Sequence, residues 1–193
     1  MEETMLFKAL REFTTGLLNQ LLVNLAGQEG QMWLDEFKKF LRRETCWVQN
    51  FLRRLFETEK IVVGATDGTE TFNGSDIFGD RVYGETLPAG TPTLAVNAAV
   101  YEQIVDGKFI QVLGSLGETR PRWKNAGQVL HFSRDHRDKL RTDGYATFFE
   151  LEGSFVAYVC FDVVGQLEVG INPLSLDYVW LAGFRHLFVS PQQ

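Results

Sequence analysis

The segment from His131 to Asp143 holds the densest set of side chains able to do chemistry: His131, Asp135, His136, Arg137, Arg141 and Asp143. A histidine beside a carboxylate can act as a general base with its orienter, and an arginine can hold an anionic substrate. On a helix, His131 and Asp135 share a face. So do Val129, Phe132, His136 and Leu140, and that face is apolar. A histidine there is more often a core residue bonded to backbone than a catalyst. On a helix, Asp135 with Lys139, and Arg134 with Asp138, are expected as ion pairs at a spacing of four. If the chain is a hydrolase-type enzyme, its catalytic set is His136, Asp143 and His186. Asp143 would orient the histidine that serves as base, and Arg141 or Arg185 would bind the anionic group. These groups converge only if the last strand runs close to the first C-terminal strand. The chain has 3 histidines, so a His-rich metal site would take nearly all of them, and neither a metal nor a cofactor is expected.

A basic stretch overlaps this segment. Arg120, Arg122, Lys124, Arg134, Arg137, Lys139 and Arg141 stand against Asp135 and Asp138, with Trp123 and Phe132 interleaved. Cations supply phosphate affinity and an exposed ring can stack a base. The candidate ligand-binding set is Arg120, Arg122, Trp123, Lys124, Arg137 and Arg141, for nucleic acid or a phosphate ligand, helped by Arg42, Arg43, Arg53 and Arg54. The net charge of −6 weighs against a general nucleic-acid binder. The run from Gly64 to Thr69 lacks the Gly-Lys-Ser/Thr ending of a phosphate loop. Asp67, Thr69, Thr71 and Asn73 alternate like calcium ligands, but Phe72 stands where the loop needs glycine. There is no Gly-x-Ser-x-Gly and no His-Glu-x-x-His. The 2 cysteines, Cys46 and Cys160, form no Cys-x-x-Cys pair and read as buried free thiols.

The elements that must position these residues fall into two parts. Leu6, Leu10, Phe13, Leu17, Leu21 and Leu25 recur at helical spacing and predict a helix over 4–25. Trp33, Phe37, Phe40, Leu41, Val48, Phe51, Leu52 and Leu55 continue a second helical face from Gln31, and Phe-Leu-Arg-Arg occurs at both 40–43 and 51–54. From Lys60 the period changes. Ile61–Val63 reads as a strand, Asp67-Gly68 and Asn73-Gly74 as turns, and Thr93–Val96 as a further strand. Asn97 is expected to cap a helix carrying Val100, Ile104, Ile110 and Leu113. A loop over 114–127 then leads to a helix over 128–141, ended by Gly144. Alternation in Tyr145–Leu151, Phe155–Phe161 and Leu167–Ile171, with a last strand over 184–189, predicts an antiparallel meander. The fold expected is α+β: an N-terminal helical hairpin or three-helix arm over 1–58, then an antiparallel β-sheet with one or two packed helices over 59–193.

The stretch from Lys139 to Phe149 (KLRTDGYATFF), with Val179-Trp180 and Arg185-His186, resembles a family of bacterial proteins with no assigned activity, over residues 93–191. The resemblance implies a bacterial domain there and gives no residue a role. The run Leu17–Ala26 is interrupted by Asn19, Gln20 and Asn24, too short and polar for a membrane span or a leader, so a cytoplasmic protein with no membrane partner is expected. The leading expectation of function is a non-enzymatic interaction or assembly protein. Its apolar helical face (Leu6, Leu10, Phe13, Leu17 and Leu21) would meet a protein partner or a second copy in a homo-oligomer.

Overall fold

The computed structural model describes Gly16, residues 18–42 and residues 50–192. The chain divides into two compact units, Met1–Gln49 and Asn50–Gln193. In the first, α1 (Leu18–Ala26) and α2 (Gly30–Leu41) contact each other across the turn 27–29. The turn is tight: a Cβ on Gly30 would lie 2.0 Å from the Leu25 carbonyl oxygen, so only glycine fits. The expected interaction residues Leu6, Leu10, Phe13 and Leu17 lie outside the described residues, as does Cys46. Leu21 is half-buried on α1.

The second unit corrects the helical reading of residues 51–55. Leu52–Leu55 is a strand, β1, paired antiparallel with a later strand. Leu-Arg-Arg-Leu is too short to separate the two periods, and the available pairing edge decides. The two Phe-Leu-Arg-Arg copies therefore differ: Phe40 and Leu41 of the first end α2, while Leu52, Arg53 and Arg54 of the second are sheet. β2 (Ile61–Val63) and β3 (Val82–Gly84) follow. Between them, 64–81 is loop and turn, with Asp67-Gly68 and Asn73-Gly74 inside it.

Val96–Gln103 is the second correction. It forms β4, not a helix capped by Asn97. Ala98, Ala99 and Val100 are all buried because both faces of the sheet are covered, which erases the alternation that marks a half-exposed strand. The helix comes later and is short, α3 (Phe109–Gly114). α4 (Ala126–Asp135) starts at Asn125, whose side-chain oxygen accepts from the Gln128 N–H at 3.0 Å. It ends before the expected Arg141, and a 3-10 turn, Arg137–Lys139, follows.

β5 (Thr147–Leu151), β6 (Phe155–Phe161) and β7 (Leu167–Pro173) are the expected meander. β8 (Leu187–Pro191) does not extend it. It inserts between β4 and β5, antiparallel to the first and parallel to the second. The eight-stranded sheet runs β1-β4-β8-β5-β6-β7-β3, with β2 also on β4. β3 joins β7 in parallel.

Each face carries its own core. On one, Val129, Leu130 and Phe132 of α4 meet Ile61, Val100, Phe149, Ala157 and Val169. On the other, Phe109 and Val112 of α3 meet Leu52, Phe148, Val156 and Phe188. Phe148 and Phe149 are consecutive on β5 and so serve opposite cores. Burying a side chain of this size is worth roughly 2 kcal/mol. The molecule is thus α+β with a mixed, mostly antiparallel sheet.

Candidate functional site

His136, at the end of α4, has its backbone N–H bonded to Phe132 O and its Nε2 2.9 Å from the Val62 carbonyl oxygen, to which it must donate. Its ring lies against Phe132, which packs edge-on to Phe149. His186, just before β8, is buried. Its Nδ1 accepts the Ala146 N–H at 3.3 Å, and Phe148, Trp180, Tyr145 and Phe184 surround the ring. Burial, with the Arg141 charge adding to it, holds its pKa below the ordinary histidine value. The two histidines therefore serve the Phe149 and Phe148 sides of β5. The last strand does pair with β5, yet that pairing carries His186 to the face away from His136. Asp143 reaches neither ring: its carboxylate accepts from Thr142 Oγ1 at 3.1 Å and meets Arg141 Nη2 at 3.2 Å. Arg185 has left-handed backbone (φ +54°) and places its Nε 2.5 Å from the buried Glu102, which Arg53 also contacts.

The basic segment separates into two ends of α4. At the C-terminal end every cation has a partner. Arg134 meets Asp76 at 2.8 Å, while His131 meets Glu70 at 3.1 Å. Arg137 donates to Gly165 O and lies over the Phe161 ring. Lys139 meets Glu59 at 2.8 Å and Asp138 at 3.1 Å, and sits over Phe56.

At the N-terminal end, Glu150 of β5 is buried and takes three charge-assisted hydrogen bonds. Arg120 gives Nε at 2.6 Å and Nη2 at 2.8 Å, and Arg122 gives Nε at 2.7 Å. Trp123 is fully buried, its Nε1 donating to Val189 O at 2.9 Å, so its ring is not offered to a base. Lys124 is exposed beside them. The structure thus brings Arg120, Arg122 and Lys124 together and leaves Arg137 and Arg141 elsewhere. Sequence spacing did not show the carboxylate that organises them, because Glu150 lies on a distant strand.

Cys160 is buried and free, and its thiol donates to Glu168 Oε1 at 3.1 Å. Burial first, then that carboxylate, push its pKa up to about 12, far from a nucleophile's range. Among the described residues no group of His, Cys, Asp and Glu is placed to hold a metal ion, and no helix is long and apolar enough to cross a membrane.

On the helical unit the arrangement is of another kind. Leu22 and Val23 of α1 and Met32, Phe40 and Leu41 of α2 are at least half exposed. No family model, curated protein or solved structure matches the chain.

Proposed function

We propose that the chain is a non-enzymatic assembly protein whose helical unit pairs with a second copy of itself. The observation that carries this reading is the exposure of five large apolar side chains, Leu22, Val23, Met32, Phe40 and Leu41, on a pair of short helices. Leaving such side chains half in water forfeits roughly half of the 1.5–3 kcal/mol that full burial of each would bring, and a partner's surface would recover it. A second copy is the simplest occupant, because one self-complementary patch closes a two-fold dimer. The catalytic alternative draws little support from histidines on opposite sides of β5 and an Asp143 occupied by Arg141.

Sedimentation equilibrium of the full chain tests the reading. The expected mass is twice that of the 22.0 kDa chain or more. Replacing Leu22 and Phe40 together by Glu should return it to the monomer with the sheet's circular dichroism intact. A wild-type chain that stays monomeric at every accessible concentration overturns the proposal.

A further inference from the structure

At the N-terminal end of α4 the second unit holds a cavity of about 370 Å3, between residues 92–96, Pro121 and the end of β8. That volume lies within the range of small-molecule sites. Its charged lining is Arg122 and Lys124 and includes no carboxylate, in a chain of net charge −6. Arg122 uses only its Nε on Glu150, so both terminal nitrogens keep their donors. Lys124 has no side-chain partner among the described residues. Gln128 lines the same cavity and is only 4% exposed. Its Oε1 takes the Lys124 N–H at 2.8 Å, and among the described residues nothing accepts from its NH2 group, which stays accessible to solvent. The positive end of the α4 dipole lies at the same place.

We propose that this cavity binds a small phosphomonoester. Its dianionic head sits on Arg122, Lys124 and the Gln128 amide, and its apolar body lies against Pro92, Val96 and Pro191. The planar guanidinium fork suits phosphate oxygens, and Glu150 fixes the fork's direction by holding Nε. A polynucleotide would need a continuing basic path and an open ring to stack on. Trp123 is sealed, and the cations at the far end of α4 are tied to their own partners. The site lies wholly within the second unit and does not rest on the assembly reading.

Phenyl phosphate is the probe, added to the uniformly labelled full chain and followed by amide NMR. Saturable shifts are expected at residues 93–96 and 122–128. Inorganic phosphate should displace it, added salt should weaken it, and neutral benzyl alcohol should leave those amides unmoved. Arg122→Gln and Lys124→Gln should each weaken binding about tenfold, the loss of one charged hydrogen bond. Arg134→Gln should bind as wild type. Arg122→Gln leaves Glu150 held by Nε and Nη2 of Arg120. Should it still fail to fold, Lys124→Gln has no partner to lose and decides alone. Absent saturation, shifts confined elsewhere, or unchanged affinity in Lys124→Gln overturns the proposal. So does an oligothymidylate that binds where phenyl phosphate does not, which would assign the cations to nucleic acid.

Discussion

Glu150 and His186 are two buried polar side chains stabilised in opposite ways. Glu150 takes its hydrogen bonds from two arginines, and Arg120 is itself almost wholly buried in making them. Removing Arg120 or Glu150 breaks the more deeply buried of the two pairs and leaves a poorly compensated group behind, at a cost of several kcal/mol. His186 instead sits among aromatic rings, with one backbone N–H donated to its Nδ1. A donor aimed at Nδ1 favours the neutral ring. Unfolded, the imidazole takes a proton as pH falls below its ordinary 6.5. Folded, burial and the Arg141 charge keep it neutral to lower pH. Protons then accumulate on the unfolded state, so this contribution to stability is complete above 6.5 and drains as pH falls through it. Urea unfolding over a pH series should show wild type losing stability on acidification more steeply than His186→Asn, by up to about 1.4 kcal/mol per pH unit for one proton. Identical slopes in the two proteins would remove His186 from the pH dependence.

At the scale of elements, β6 and β7 depend on one glycine. Tyr158 and Gly170 are cross-strand partners, and a Cβ on Gly170 would lie 2.1 Å from the Tyr158 ring. The ring covers the bare backbone of its neighbour, a pairing that compensates glycine's poor fit to a strand. Gly170→Ala should destabilise the protein by about 1–3 kcal/mol through overpacking. In a Tyr158→Ala background the same change should cost little, and a thermal double-mutant cycle reads the difference. The meander containing this pair was legible in the sequence. Its strands alternate, and the Gly153 and Gly165 turns are short. β4 was not, since cover on both faces removes its period. β1 was not, because four residues fit either period. β8 was misplaced because its parallel pairing with β5 depends on the long return through Trp180, which no local pattern encodes. The site followed the same rule. Arg122 and Lys124 were visible as a basic run, while Glu150, Gln128 and the wall at 92–96 reach them through the fold.

For the whole second unit, one sheet is the shared wall of both cores. Trp123 belongs to the core under α4, and Trp180 packs against the core under α3. Phe149 and Phe148 line those two cores from adjacent positions of β5. Neither core can lose its packing without exposing the back of strands the other needs, so the two faces should melt together. The chain supplies its own reporters. With Trp33, Trp47 and Trp180 replaced by Phe, fluorescence reads the Trp123 face; with Trp33, Trp47 and Trp123 replaced, it reads the Trp180 face. Phe148→Ala and Phe149→Ala should each cost about 3–5 kcal/mol. Within either reporter background, each of these changes should shift the urea midpoint as far when it strikes the opposite core as when it strikes the reporter's own. A midpoint that moves only for the substitution on the reporter's own face would show the cores unfolding separately, and the sheet would then be two packed layers that merely share strands.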